Sequence, residues 1–158
     1  MPVNSKGRSI MMTSAGLFLI SAAVLLIEIV QMRVFSLALW HHLAYLVITI
    51  ALLGFGVSGT IIAIFPEFFR KNMPVVLIYG SIFFAGSTFI AFWITSHERL
   101  DTFKLLTPSG LQFSQLFLLF LYYAVFIVPF VAAGGVIACI FTCHSRNAFS
   151  LYFANLSG

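Results

Sequence analysis

The sequence predicts an all-α integral membrane protein with about four transmembrane helices. Of its 158 residues, 61% are hydrophobic and only 8% are charged, whereas a soluble domain carries about 25% charged residues. This number of charges is too small to cover a water-exposed surface. The lipid bilayer must therefore be the solvent for most of the chain. The apolar stretches show no long alternation of period two that would indicate a barrel, so the spans are expected to be helices.

The gaps between charged residues locate the spans. The uncharged stretches are Ser9–Ile27, Val34–Pro66, Asn72–His97 and Leu105–Ser145. A helix of roughly 20 apolar residues crosses about 30 Å of hydrocarbon. We therefore expect helices near 11–36, 42–65, 74–96 and 112–142, in a single domain covering residues 1–158. The first stretch is longer than the apolar region of a secretory signal and is treated as a retained helix.

The last twelve residues, 147–158, are uncharged and would form only about 18 Å of helix, too short to cross a bilayer. We expect them to begin a truncated fifth helix or to dock along a partner. The distribution of Lys and Arg favours a cytoplasmic N-terminus, and we expect the chain in a bacterial inner membrane. That orientation places five basic residues inside (Lys6, Arg8, Arg70, Lys71 and Arg146) and three outside (Arg33, Arg99 and Lys104).

The stretch "ALLGFGVSGT" carries glycines with the G-x-G-x-x-G spacing of a dinucleotide-binding turn. That turn needs a preceding strand and an acid about 20 residues later. Here it lies inside a long uncharged run, so nucleotide binding is rejected. The stretch is better explained by helix packing, because small residues four apart let helices approach closely in lipid. The packing residues predicted here are Gly54, Gly56, Ser58, Gly59 and Ala63.

Polar residues recur every seven positions on the first helix, at Ser14, Ser21 and Glu28. A carboxylate facing lipid is costly, so this face should look into the bundle. Two roles for Glu28 stay open: pairing for assembly, or handling a proton or substrate. We expect it to hydrogen-bond to Arg33, to a partner subunit, or to a polar stripe on the second helix. That stripe consists of His41, Tyr45 and Thr49, and the predicted buried polar set also includes Arg33.

Three histidines, His41, His42 and His97, fall on the predicted outer side and are candidate haem or metal ligands. The alternative is an ordinary interfacial belt that includes Trp40. Cys139 and Cys143 lie one helical turn apart and are interpreted as reduced packing residues. No cofactor is predicted, although haem stays an alternative, and no catalytic motif or nucleic-acid patch is found.

The motif "VPFVAAGG" predicts an irregularity in the fourth helix. Pro129 removes a backbone donor, and Gly134 and Gly135 follow within two turns. The helix is therefore expected to be kinked. Broken helices can line binding sites at mid-membrane, while a kink that serves packing alone is the other interpretation.

The stretch "IEIVQMRVFSLALWHHLAYLVITIALLGFGVSG" resembles the opening membrane segment of spermidine synthase-like multi-pass membrane proteins. Glu28 and Arg33 match an acid and an arginine late in that family's first helix, and Ala51–Gly59 match its Gly-rich pattern. The terminal "LYFANLSG" is similar to a family segment L-Y-x-x-D-L-x-G, with Asn155 in place of the acid. The resemblance implies a membrane anchor; the family's soluble aminopropyltransferase-like domain has no counterpart in these residues, so its chemistry does not carry over.

Three classes of function follow. The first is a non-catalytic membrane subunit or anchor that packs against other transmembrane subunits or copies of itself. The second is a transporter or channel domain that uses Glu28 and the kinked fourth helix. The third is a redox subunit that holds haem with its outer histidines. Enzymatic activity is not expected of this chain alone.

Overall fold

The computed structural model describes residues 3–38, 44–97, 113–144 and 148–158. Every secondary-structure element in these ranges is a helix. The helices are α1 (Val3–Ala38), α2 (Ala44–Ile64), α3 (Pro66–Lys71), α4 (Met73–His97), α5 (Phe113–Cys143) and α6 (Ala148–Ser157).

Four of these helices are long and apolar enough to cross a membrane, which confirms the predicted fold class. The candidate spans are Ile10–Val34, Tyr45–Ile64, Met73–Ile94 and Phe120–Cys143. Two differences from the expected boundaries stand out: α1 begins at Val3, well before the predicted start, and the short helix α3 was not predicted. Helix α5 runs through Pro129 without interruption, so the proposed kink stays a prediction.

Helix α3 joins α2 to α4 through a compact turn. Phe65 leaves the helical conformation, with φ −122° and ψ 53°, and Pro66 then starts α3. Proline suits this first position because no intrahelical partner exists there for the missing N–H. The backbone N–H of Asn72 donates to the Phe68 carbonyl at 3.0 Å, and its own carbonyl accepts from Val76 at 3.0 Å. The connection therefore keeps its backbone groups bonded.

Helix α5 lies at the centre of the bundle. In its most apolar window 44% of the residues are buried, against 11% for α4. Helices α2 and α4 both pack along it. The main core combines residues of α5 with residues from three other helices. Its buried members are Val24, Val47, Ile50, Ala51, Phe84, Ala91, Tyr122, Phe126, Phe130 and Ala133.

The C-terminal helix α6 packs against α1 of the same chain. Leu151 is buried beside Leu17 in a second core cluster that also contains Val136 and Ile140. Farther along α6, Asn155 is bonded to Ser21, and a Cβ placed on Gly158 would overlap the Phe18 carbonyl oxygen. Residues 147–158 were expected to begin a further helix or to dock along a partner; of these, 148–157 form a helix, and it docks on α1 of its own chain.

Most of the described hydroxyls are satisfied within their own helix. Ser58 donates to Phe55, Ser81 to Leu77 and Thr142 to Ala138, each to a backbone carbonyl three or four residues earlier. In hydrocarbon no water is present to satisfy these groups, so local bonding makes such residues tolerable in a span. A hydroxyl that also bonds to another helix therefore marks a specific contact between the two helices.

Candidate functional site

A cavity of about 370 Å³ lies between α1 and α6, with one residue each from α2 and α5 completing its walls. We refer to it as the Glu28 cavity. Its lining residues are Ser21, Val24, Leu25, Glu28, Phe55, Ile137, Asn155 and Leu156. Most of this surface is apolar, and the polar groups are one hydroxyl, one amide and one carboxyl. These three groups make the cavity the candidate functional site.

Ser21 and Asn155 form the polar contact between α1 and α6. Ser21 is buried and lies next to the middle of the span Ile10–Val34. Its hydroxyl oxygen is 2.9 Å from the Leu17 carbonyl oxygen and 2.7 Å from Asn155 Oδ1. One hydroxyl has a single proton, so it serves one of these acceptors at a time. If that proton goes to Leu17, the Asn155 amide must turn so that its nitrogen donates to Ser21 Oγ.

Glu28 lies two turns beyond Ser21 on the same face of α1 and is half-buried. Within the described ranges, no hydrogen bond or ion pair engages its carboxyl group. The predicted bonds to Arg33 and to the Tyr45–Thr49 part of the stripe are therefore wrong for this chain. The third stripe residue, His41, lies outside the described residues. A bond to a partner subunit stays a prediction.

The predicted burial of Arg33, Tyr45 and Thr49 is also wrong within this single chain, where all three are exposed. Helix α2 turns its Val47, Ile50, Ala51, Gly54 and Ser58 face towards the bundle. Tyr45 and Thr49 lie on the opposite face, and the Thr49 hydroxyl donates to the Leu46 carbonyl of its own helix. Arg33 is five residues beyond Glu28, which is not a same-face spacing, and its long side chain can reach the interface.

Gln31 is a buried polar residue that the sequence interpretation missed. Only 1% of it is exposed, and among the described residues neither its Oε1 nor its Nε2 has a hydrogen-bond partner. The Ser14 hydroxyl is likewise buried without a partner. Gln31 falls outside the seven-residue repeat of Ser14, Ser21 and Glu28, but it lies three residues after Glu28. That spacing places neighbours on a helix surface and could have signalled it.

The predicted packing residues of α2 divide into two groups. Gly54 and Ser58 are buried against α5: a Cβ on Gly54 would lie 2.5 Å from Phe130 Cβ, and a Cβ on Gly134 would overlap Ser58 Oγ. Gly56, Gly59 and Ala63 are exposed, and nothing lies within 4 Å of a Cβ placed on either glycine. Only the first group packs within this chain.

Gly59 and Ala63, two of the exposed residues, border a second depression, which we call the small-residue groove. It has a volume of about 480 Å³ and runs between α2 and α5. Gly59 and Ala63 lie on one wall, and Gly134 and Ala138 lie on the other. Of the predicted kink residues, Gly134 therefore serves close packing, Pro129 is fully buried, and a Cβ on Gly135 would meet nothing within 4 Å.

The candidate haem and metal ligands are not brought together in the described part of the chain. His41 and His42 lie outside the described residues, while His97 is exposed and stacks its ring 4.9 Å from that of Trp93. The described residues contain no group of three His, Cys, Asp or Glu able to hold a metal. Cys139 and Cys143 are free thiols that both donate to the Phe69 carbonyl, at 3.8 Å and 4.0 Å.

No family model, curated protein or solved structure matches this chain. The resemblance to spermidine synthase-like membrane proteins therefore stays a prediction. Functional interpretation rests on the geometry of the Glu28 cavity and of the small-residue groove. The first presents a carboxyl group to an apolar space, and the second presents small residues on both walls between larger side chains such as Phe55 and Phe141.

Proposed function

We propose that this chain is a non-catalytic integral membrane subunit that packs against another membrane protein or another copy of itself. The observation that carries the proposal is the small-residue groove. Gly59 and Ala63 form a small-xxx-small pair, yet both are exposed, and nothing in the described part of the chain lies within 4 Å of a Cβ placed on Gly59. Small residues favour helix association in lipid because they let backbones approach and pack.

The contact between α2 and α5 shows how this chain uses such residues. At Gly54 the missing side chain makes room for Phe130, and at Gly134 it makes room for Ser58 and Phe55. A partner helix seated on Gly59 and Ala63 would use the same packing at the open groove. The groove has small residues on both walls, so a helix can lie deeply in it.

The proposal includes the setting of the subunit. We place it in a bacterial inner membrane with its N-terminus in the cytoplasm, on the basis of the Lys and Arg distribution. The motif resemblance supports the more specific proposal that it corresponds to the membrane anchor of spermidine synthase-like proteins. The four spans support the membrane location alone.

The test compares two glycine substitutions. Gly59→Leu adds bulk at the groove, whereas Gly86→Leu makes the same change at an exposed glycine of α4 with nothing within 4 Å. After mild extraction, native mass measurements should show the wild-type chain in a particle larger than one 17.5 kDa chain. Gly59→Leu should shift the population to smaller particles, and Gly86→Leu should not.

The form of the larger particle identifies the partner. A multiple of 17.5 kDa indicates copies of this chain, and any other mass indicates a different protein. A wild-type chain that stays single in native membrane extracts and in nanodiscs would contradict the proposal. Equal effects of the two substitutions would show that the groove is not the contact surface.

A second candidate function is a transport domain that handles a proton or a small solute at Glu28. The observation that favours it is that the Glu28 carboxyl group lines a cavity in a transmembrane span without an ion-pair partner in the described ranges. Ionisable residues inside a bilayer commonly mark substrate or proton pathways. Flux into proteoliposomes that falls in Glu28→Gln, but is unchanged in the exposed control Glu67→Gln, would support this function.

A further inference from the structure

We infer that the Glu28 cavity is a binding site for a hydrophobic monocation, an ammonium group attached to a compact apolar body. The inference deepens the second candidate function and rests on its site, but it does not require transport. Four features support it: the charge of the cavity, its hydrogen-bonding capacity, its walls and its opening.

A single carboxyl group, that of Glu28, is the source of charge in the cavity. In the described ranges no cationic side chain pairs with Glu28, and Arg33 of the same helix is exposed. A carboxylate removed from water needs a compensating charge or hydrogen bonds. A monovalent cation supplies that charge, whereas a dication would leave one positive charge uncompensated.

The hydrogen-bonding capacity of the cavity also favours a donor. The Ser21 proton is engaged by Leu17 or Asn155, so this hydroxyl has no proton left for a ligand. A Glu28 carboxylate adds two acceptor oxygens and no donor. The Asn155 amide nitrogen is the one donor group that these three polar residues leave for a ligand. An anion would meet the carboxylate charge, whereas an ammonium group pairs with it.

The walls of the cavity select an apolar body. Val24, Phe55 and Ile137 line the space beside Glu28. Phe55 adds an aromatic ring, and aromatic faces attract ammonium groups. The volume of about 370 Å³ lies near the lower end of ligand sites in proteins. A strongly hydrated inorganic ion would lose its water without filling this space.

The opening of the cavity lies towards the lipid. Leu25 and Leu156, from the two helices that form the rim, are exposed to extents of 50% and 66%. A ligand therefore enters sideways, between α1 and α6, from the bilayer. This route suits an amphiphilic cation that already partitions into the membrane.

The experiment uses 2-phenylethylammonium, which carries both the charge and N–H donors, and its uncharged isostere propylbenzene. Equilibrium binding of each compound is measured on the full chain in nanodiscs, with empty nanodiscs subtracted. The cation should bind saturably at one site per chain. Glu28→Gln keeps the side-chain shape and should weaken this binding tenfold or more, while Glu67→Gln, on the exposed short helix α3, should leave it unchanged.

A second variant keeps the test decisive if Glu28→Gln alters folding. Leu156→Trp adds bulk at the exposed rim and should lower cation binding at least tenfold without removing the carboxyl group. Equal saturable binding of the neutral isostere, or cation binding insensitive to both variants, would overturn the inference. Cation binding is measured independently of flux and of assembly. The proposals of a packing subunit, of a transport domain and of a cation site can therefore fail separately.

Discussion

The contact of α2 with α5 and the contact of α1 with α6 are built in different ways. The first brings helices together through missing side chains, with Gly54 receiving Phe130 and Gly134 receiving Ser58. The second combines a polar bond, from Ser21 to Asn155, with a close approach of Gly158 to the Phe18 backbone, and a cavity lies beside it. The first contact is thus largely apolar, whereas the second is partly polar and incompletely filled.

The difference shows how each contact obtains its specificity. In lipid, close packing and interhelical hydrogen bonds both favour association, since lipid offers little hydrophobic drive. The α2–α5 contact depends on shape and tolerates no added bulk. The α1–α6 contact depends on one hydrogen bond together with the packing of Leu151 and Gly158, and the space next to it is available to a ligand. Stability should therefore depend on the first contact and binding on the second.

The largest expected effect is at Gly54. Gly54→Ala places a Cβ 2.5 Å from Phe130 Cβ and 3.1 Å from the Phe130 backbone, so α2 and α5 must separate. We expect a loss of about 1–3 kcal/mol in the free energy of unfolding. The measurement is unfolding in mixed micelles of increasing SDS content.

Gly56→Ala is the matched control for this prediction. It lies on the same helix with nothing within 4 Å of its Cβ. Alanine there should be neutral or stabilising by up to about 1 kcal/mol, because glycine is a poor residue for a helix interior. Similar losses at both positions would show that the α2–α5 contact is not limited by shape.

The next effect concerns the polar contact. A double-mutant cycle of Ser21→Ala and Asn155→Ala should give a coupling free energy of about 0.6–1.7 kcal/mol, the range found for interhelical hydrogen bonds in membranes. The cycle is measured by the same SDS unfolding. Additive losses, with no coupling, would mean that α6 is held on α1 by the packing of Leu151 and Gly158 rather than by this hydrogen bond.

How far the sequence could predict this structure differs between the two contacts. Charge gaps predicted all four spans because charged residues are expensive in hydrocarbon wherever the helices pack. Gly54 and Gly59 are each followed by a small residue four positions later, but of these two glycines only Gly54 packs against α5 in the described structure. Which glycine packs depends on the face that α2 turns towards α5. The docking of α6 on α1 likewise depends on tertiary geometry that has no local signal in residues 147–158.

The candidate site was predicted only in part. The seven-residue repeat correctly grouped Ser21 with Glu28 on one face of α1, and both line the cavity. The stripe of His41, Tyr45 and Thr49 was one of three expected partners of Glu28 because α2 follows α1 in sequence, but Tyr45 and Thr49 are exposed on the far face of α2. Asn155, which bonds to Ser21 in the same cavity, lies far away in the chain. Asn155 had been noted only as a departure from a family motif, and polarity alone could not place it beside Ser21.

A smaller effect is expected at Gln31 of α1, whose buried amide has no hydrogen-bond partner among the described residues. Gln31→Met keeps the length and removes two unpartnered polar atoms. We expect a gain of about 1 kcal/mol in the free energy of unfolding, since an unmade hydrogen bond is costly when buried. Ser81→Ala, at an exposed and internally bonded hydroxyl, should change stability little. A loss at Gln31→Met would reveal a water or a partner at the amide.

The smallest effect is a difference in thiol labelling at the C-terminal end of α5. Cys139 is fully buried, whereas Cys143 is half-buried. Maleimide in detergent should label Cys143 slowly and leave Cys139 unmodified, and Cys143→Ala should abolish the labelling. Mass spectrometry of the intact chain gives the count. Rapid labelling of Cys139 would show that the α5 end of the bundle is open rather than closely packed.

The central position of α5 has a consequence for biogenesis. Helices α2 and α4 pack along α5 rather than along each other in the described structure, although only Phe65–Asn72 separate them in the sequence. During synthesis they enter the membrane before the helix that joins them exists. From Ile64 to Cys143 a ribosome adding about 5–20 residues per second needs about 4–16 s. For that interval the Gly54 and Ser58 surface of the nascent chain is vacant, and an insertion chaperone or a neighbouring helix can occupy it first.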